Sequence, residues 1–330
     1  MTQAVVFLVY PGFSLLNLSG PASVFDTANF ELRSRGKRDL YRITVVSPRG
    51  GLVSSDGGIA VQTRPLARVA AAHVHTALVV GAHAEYLQAL TLEPPLRRWA
   101  ARCAKTATRF GAICTGAFVL AALGLLEGKR VATHWFGCAS LAEKYPSIRV
   151  DHESLYVVDG TTWTSAGASA GIDMALAMVS ADLGAGMATQ VARGLVLYAR
   201  RPGYQSQFSP LLTAQAGIDG KFAELTGWLQ AHLHRTLDVR TLAARVGLSE
   251  RTFYRRFVSA TGASPAHFVE TVRLETARML LSDGLTVKEI AAHVGLAPTP
   301  RFTRAFTRRF GISPSLFREA HGSLVASRQA

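Results

Sequence analysis

Short apolar runs alternate with longer segments of helical period along the first two-thirds of the chain. The runs AVVFLVY (4–10), YRITVVS (41–47), TALVVGA (76–82) and RFGAIC (109–114) are rich in Val, Ile and Phe, and Gly or Pro follows closely on each. Strands that are apolar along nearly their whole length, separated by helices, predict a parallel sheet covered on both faces. The segments 21–32, 94–107, 115–126 and 169–184 carry the helical pattern. Between the last two, residues 148–167 alternate as a β-hairpin does, with Asp159-Gly160 as the turn.

The pattern changes after VARGLVLYA (191–199). Residues 200–221 are polar, contain Pro202, Gly203, Pro210, Gly217 and Gly220, and lose the helical period, which reads as a linker partly ordered against either neighbour. Beyond it lies an internal repeat. In 242–268, Leu242, Ala243, Val246, Gly247, Leu248, Phe253, Arg255, Phe257, Gly262, Ser264, Pro265 and Phe268 match Ile290, Ala291, Val294, Gly295, Leu296, Phe302, Arg304, Phe306, Gly311, Ser313, Pro314 and Phe317 of 290–317, with one residue inserted. Each copy reads as helix, Gly turn, helix. Gly247 and Gly295 suit the left-handed turn, and Ser249 suits the N-cap of the helix that follows. Pro298 and Pro300 leave the start of the second copy's last helix open. Phe253 and Phe257, like Phe302 and Phe306, sit at i, i+4 and face inward. The outward positions are then Glu250, Arg251, Thr252, Tyr254 and Arg255 in one copy, and Thr299, Arg301, Thr303, Arg304 and Arg308 in the other.

Charge gives that face a partner. The 330 residues carry a formal net charge of +14. Residues 221–320 hold fifteen Lys and Arg against eight Asp and Glu, half of that excess. A helix-turn-helix whose second helix presents Arg, Thr and Tyr suits the major groove of duplex DNA, where Arg reads guanine. A membrane surface is the rival partner for a basic region, but the apolar faces are consumed in pairing helices. No apolar run approaches the ~20 residues of a membrane span. MTQAVVFLVYPGF reads as a first strand rather than a signal peptide. Cys103, Cys114 and Cys138 are an odd number without metal spacing, which suits a reducing cytosol. His73 with His75, and His232 with His234, lack the third and fourth ligands of a closed metal site, so no metal and no cofactor is expected.

Cys114 lies where the strand 109–114 meets the helix 115–126, at the carboxyl end where open parallel sheets bind ligands. The amides of Thr115 and Gly116 begin that helix, and a helix start lowers a thiol pKa and favours an anion. His134 follows the strand RVAT and faces the same crevice. The alternative for Cys114 is a small buried hydrophobe.

YPGFSLLNLSGPASVF, ICTGAFVLAALGLLEGKRVATHW and the hairpin before SAGASAGIDMAL resemble the ThiJ/PfpI superfamily over about residues 4–195. The resemblance implies a flavodoxin-like α/β domain of the class I glutamine amidotransferase-like kind, with Cys114 at a nucleophile elbow beside His134. At the position of the superfamily's acidic partner stands Asn17. An amide orients and hydrogen-bonds but relays no proton. The site is therefore expected to bind through Asn17, Gly81, Ala82, Cys114, Thr115, Gly116 and His134, with Cys114 and His134 as vestiges of catalysis.

DGLTVKEIAAHVGL and TRAFTRRFGISPSLFREA resemble the AraC/XylS family over about residues 221–320. That implies an all-α domain of two helix-turn-helix units joined by a long helix, here 264–283, entering successive major grooves roughly 34 Å apart. The pairing of the two domains resembles the GlxA family of transcriptional regulators. The expected division is a ligand-sensing domain over 1–199, a linker over 200–220, a DNA-binding domain over 221–320 and a disordered tail over 321–330. The expected function is sequence-specific transcriptional regulation controlled by a small polar metabolite near Cys114. The implied partners are double-stranded DNA, the effector, a second copy of the chain and RNA polymerase, in a bacterial cytoplasm at the nucleoid. The competing readings are a cysteine-dependent hydrolase or hydratase with a DNA-binding domain, and a redox or electrophile sensor acting through Cys114.

Overall fold

The computed structural model describes residues 2–83, 86, 94–197, 200–207, 220–261, 263–281 and 285–319. The chain forms two compact units, Met1–Gln207 and Phe208–Ala330. Gly262, residues 282–283 of the joining helix, residues 208–219 of the linker and the tail 321–330 lie outside the described residues.

The first unit is built on an eight-stranded sheet. Its strands are β1 (Gln3–Leu8), β2 (Tyr41–Ser47), β3 (Gly51–Ser54), β4 (Ala60–Pro65), β5 (Thr76–Val79), β6 (Arg109–Ile113), β9 (Tyr156–Asp159) and β10 (Thr162–Ser165), in the order β3-β4-β2-β1-β5-β6-β10-β9. Strands β4, β2, β1, β5, β6 and β10 run parallel, and β3 and β9 are antiparallel edges. The near-continuous burial of β1, β5, β6 and β10 follows from two covered faces. Alternation then deals the side chains out. Val6, Leu8, Ala77, Val79 and Ala112 join one core, and Val5, Phe7, Leu78 and Ile113 the other. Helices α2 (Pro94–Thr106) and α3 (Gly116–Ala122) cover the first core through Leu96, Trp99, Ala117 and Leu120. Helices α1 (Leu15–Arg33), α5 (Ser169–Leu183) and α6 (Ala185–Gly194) cover the second through Val24, Phe25, Met174, Met178 and Val191. Each such large side chain contributes about 1.5–3 kcal/mol by leaving water.

Several boundaries differ from the sequence expectation. Helix α1 begins at Leu15, not at residue 21, and holds Pro21 inside it. The missing Pro21 N–H leaves the Asn17 carbonyl without its helical donor. Helix α3 stops at Ala122 because the chain turns at Gly124, with φ 72°. The segment 148–167 is a hairpin only from β9 onward. Its first part, β8 (Arg149–Asp151), pairs in parallel with β7 (Arg130–Ala132) in a separate two-stranded sheet. Helix α4 (Cys138–Lys144) connects those two strands. Residues 200–207, expected in the linker, are part of the first unit and run beside residues 153–156.

The second unit is helical: α7 (Gly220–Ala231), α8 (Val239–Arg245), α9 (Glu250–Thr261), α10 (Pro265–Leu280), α11 (Val287–His293), α12 (Thr299–Phe310) and a final helical stretch at 314–319. The caps follow the local sequence. The Asp238 carboxylate accepts the Thr241 N–H at 2.8 Å, and Ser264 accepts from His267 ahead of Pro265. Thr286 and Glu289 form a reciprocal capping box. Gly247 and Gly295 turn α8 into α9 and α11 into α12 at φ 69° and 68°. Phe253, Phe257, Phe302 and Phe306 are all buried. The first pair packs with Phe268, Val269 and Val272 of α10 and with Leu225, Leu229 and Leu233. In the second copy, Phe306 meets Phe317 with ring centroids 5.5 Å apart.

Candidate functional site

Two places gather chemistry, one in each unit. The first lies at the carboxyl ends of β1, β5, β6 and β10. The chain crosses to β2 on one side of β1 and to β5 on the other, which is where open α/β sheets form a ligand crevice. Cys114 sits in the left-handed region at φ 60°, a sharp elbow between β6 and α3. Such a conformation costs a non-glycine residue about 1–2 kcal/mol, so the surroundings must impose it. Its N–H donates to the Ser165 carbonyl at 2.9 Å, and its carbonyl accepts the Thr133 hydroxyl at 2.9 Å. Gly167, at φ 94°, presses against it: a Cβ there would fall 2.2 Å from the Cys114 Cβ.

The side chains around the thiol are already committed. Asn17 is buried, and its Oδ1 accepts the Ala168 N–H in a short hydrogen bond. Its Nδ2 is therefore the group left to donate to the sulfur, and Asn17 does hydrogen-bond Cys114. The Thr115 hydroxyl donates to the Ala82 carbonyl at 2.6 Å and accepts the Ala82 N–H at 3.0 Å. Gly81 and Gly116 pack without room for side chains, since a Cβ would meet the Cys114 Cβ at 2.8 Å and the Val79 carbonyl oxygen at 2.3 Å. Burial pushes the Cys114 thiol above its ordinary pKa, and hydrogen bonds from the Thr115 amide and Asn17 only partly offset it. This corrects the expectation of a thiol activated by the helix start. Helix α3 has seven residues, and desolvation outweighs its terminus.

Asn17, Gly81, Ala82, Cys114, Thr115 and Gly116 thus come together. His134 does so less directly. It caps the turn Trp135–Gly137, its Nδ1 accepts the Phe136 N–H at 3.3 Å, and burial lowers its pKa. The sequence reading missed Tyr10, Thr133, Gly167 and Ala168. Tyr10 is buried near Cys114 and donates to the Val80 carbonyl at 2.7 Å. Only pairing of β10 beside β6 brings Gly167 and Ala168 to the elbow.

The second place is the outer face of α9 and α12. Glu250, Arg251, Tyr254, Arg255, Arg301, Arg304 and Arg308 are exposed. Thr252, Thr299 and Thr303 are half-buried. Thr252 also spends its Oγ1 accepting from Ser249, whose Oγ in turn accepts the Thr252 N–H at 3.3 Å. Arg256, absent from the predicted set, is exposed as well. Between α10 and α12 lies a cavity of about 530 Å³ lined by Arg273, Arg301, Arg304, Arg308 and Glu270. Arg308 pairs with Glu270 at 2.5 Å, and Arg273 donates to the Leu233 and Arg235 carbonyls. Among the described residues no cluster of three or more His, Cys, Asp or Glu is arranged to hold a metal ion, and no helix is long and apolar enough to cross a membrane.

Comparison with known proteins covers both units. Residues 3–181 match the DJ-1/PfpI family. The chain belongs to that family. Residues 242–320 match a helix-turn-helix domain. The HTH-type transcriptional regulator CdhR of Pseudomonas aeruginosa is 32% identical over 320 residues, covering 96% of this chain and 91% of the relative. The HTH-type transcriptional regulator GlxA of Rhizobium meliloti is 29% identical over 325 residues, 97% of each chain. Two solved structures share the fold of the first unit. An AraC family transcriptional regulator from Pseudomonas putida has a TM-score of 0.50 at 24% identity, over 58% of this chain and 99% of that one. Drosophila melanogaster DJ-1beta has a TM-score of 0.52 at 20% identity, over 60% of this chain and 100% of that one. This DJ-1/PfpI family member is accordingly a DNA-binding transcriptional regulator with an AraC-type helix-turn-helix domain.

Proposed function

We propose that the regulator reads DNA sequence through α9 and α12 and answers to a small polar effector held near Cys114. The single observation that carries the effector reading is Asn17. It stands in the elbow where an acid would act, accepts from Ala168 and donates to the thiol, so the frame of an active site is kept without its proton relay. The raised thiol pKa weighs in the same direction, against a nucleophile or a redox sensor.

On the DNA side, Arg251, Tyr254 and Arg255 of α9 and Arg301 and Arg304 of α12 are the base-reading candidates, and Glu250, Thr252, Thr299 and Thr303 flank them. Arg308 holds Glu270 and serves the phosphate backbone. The chain acts as a homodimer in the bacterial cytoplasm, bringing up to four reading helices to an operator, and meets RNA polymerase there.

The test is selection of duplexes from random sequence by the purified chain, repeated with a metabolite library. The expected result is one enriched motif whose affinity one class of small polar compound shifts. Cys114→Ser is expected to keep both the motif and the response. Turnover of a carbonyl or isonitrile compound that vanishes in Cys114→Ser would favour the enzyme reading instead.

A further inference from the structure

The eight residues 200–207 are the last described before the chain passes to the second unit. They run antiparallel beside residues 153–156, where Ser206 faces Ser154. The Gly203 carbonyl accepts the Tyr156 N–H at 3.2 Å, the Gln205 carbonyl accepts the Leu155 N–H at 3.0 Å, and the Gln207 N–H donates to Glu153 at 2.7 Å. Gly203 permits the approach, since a Cβ would meet the Tyr156 carbonyl oxygen at 2.6 Å.

Both ends of this segment are fastened. Arg201 grips the buried Asp173 of α5 through its N–H, Nε and Nη2 at 3.0, 2.9 and 2.6 Å, and Nη2 also donates to the Ser169 Oγ at 2.8 Å. At the other end Gln207 Nε2 donates to the Thr133 carbonyl at 3.0 Å and the Ser154 carbonyl at 3.1 Å.

Each fastening adjoins a residue bonded to the elbow. Ser169 follows Ala168, whose N–H is held by Asn17, and Asn17 bonds the thiol. Thr133, which carries Gln207 on its carbonyl, donates its hydroxyl to the Cys114 carbonyl. The seat is imperfect as well. The Oε1 atoms of Gln205 and Gln207, and the fully buried Ser165 Oγ beside Cys114, have no partner among the described residues. A docked segment that buries unpaired acceptors is held less firmly than its bond count implies.

We propose that residues 200–207 are a latch. An occupant at Cys114 that displaces Ala168 or Thr133 loosens it, and the release changes the duplex affinity of the DNA-binding unit that follows in the chain. This rests on the effector reading above and adds the route by which occupancy is transmitted. The Arg201–Asp173 grip is a forked, charge-assisted contact, which small shifts of α5 spoil. Coupling of this kind is reciprocal, so loosening the latch must also alter the elbow.

Hydrogen exchange and duplex binding on the full chain test it. Asn17→Ala and Thr133→Val cut the two links on the elbow side without removing any side chain of the latch. Exchange at the Leu155 and Gln207 amides is expected to rise about tenfold in both, the signature of a local opening. Affinity for a duplex selected by the wild-type chain is expected to move severalfold, in the same direction as in Arg201→Ala. Asn17→Asp keeps the acceptor for Ala168 and is expected to keep those amides protected. Thr133→Val, nearly isosteric, carries the test should Asn17→Ala lower the melting temperature. Unchanged exchange in the elbow-side variants overturns the latch, as does faster exchange with duplex affinity unmoved. Should Cys114→Met shift duplex affinity equally with and without Arg201→Ala, the latch falls and the effector reading stands. Should no compound of the metabolite library move the duplex affinity of the wild-type chain, the effector reading falls and takes the latch with it.

Discussion

The elbow at Cys114 and the arginine face of α9 and α12 dispose of their polar groups in opposite ways. Around Cys114 they are spent inside the chain: Asn17 on Ala168 and the thiol, Thr115 on Ala82, Thr133 on the Cys114 carbonyl. Along α9 and α12, the guanidinium groups of Arg251, Arg255, Arg256, Arg301 and Arg304 stand exposed to solvent. Where hydrogen bonds are made internally, a ligand must exchange bonds to enter. A face of unneutralised cations costs little while it is hydrated, and it gains most by meeting a polyanion. The contrast separates a place suited to sensing from a place suited to grasping.

Ionic strength should separate the two most widely. Each phosphate neutralised, as by Arg308, adds about −0.9 to the slope, so duplex affinity is expected to fall roughly 3.5-fold per contact between 50 and 200 mM salt. Alkylation of Cys114 by a neutral reagent is expected to be nearly flat over the same range. Titrations by fluorescence anisotropy and mass spectrometry measure the two, and equal salt sensitivity would break the contrast.

Next in size is Gly167→Ala. The substitution combines a left-handed backbone with a Cβ 2.2 Å from that of Cys114, so a loss of about 3 kcal/mol or more is expected by urea denaturation. Gly247→Ala meets no atom within 4 Å and pays only for its φ of 69°, about 1–2 kcal/mol.

Arg251→Ala and Arg301→Ala are each expected to lose about 1–3 kcal/mol on the selected operator and far less on random duplex. Equal losses on both would reassign the residue to the phosphate backbone. The pH profile of Cys114 sharpens the other side. Because burial favours the neutral thiol, its alkylation rate at pH 7 should lie below that of an ordinary thiol and climb only at a higher pH than an ordinary thiol's does. A plateau reached below neutrality would contradict a desolvated thiol. The smallest effect is expected from Arg308→Ala. Its exposed contact with Glu270 is worth about 0–1 kcal/mol to stability, and its loss on DNA should be the same for operator and random sequence.

The repeat in the second unit was legible residue by residue, because a helix-turn-helix is local. Its Gly turns, caps and i, i+4 aromatics all fall within one copy, and Gly247, Gly295, Phe253, Phe257, Phe302 and Phe306 sit as the spacing predicts. The elbow was legible for Cys114 and Asn17, whose motifs are contiguous. It was not legible for Gly167, Ala168 or Thr133, which arrive from β10 and β7 through sheet pairing. Nor was the direction of the thiol's shift. A helix start is visible in a sequence, whereas the depth of burial that outweighs it is not.

What the amino-acid order settled by itself is the kind of protein: a parallel sheet from its apolar runs, two helix-turn-helix units from their repeat, and an arginine face from what the buried aromatics leave outside. These follow from short-range periodicity, which one segment carries alone. Tertiary structure alone decided that burial raises the thiol's pKa, that Asn17 turns its amide toward it, and that residues 200–207 are fastened to α5 and Thr133. Those are outcomes of burial and long-range hydrogen bonding, and they arise only when distant segments share one dry space.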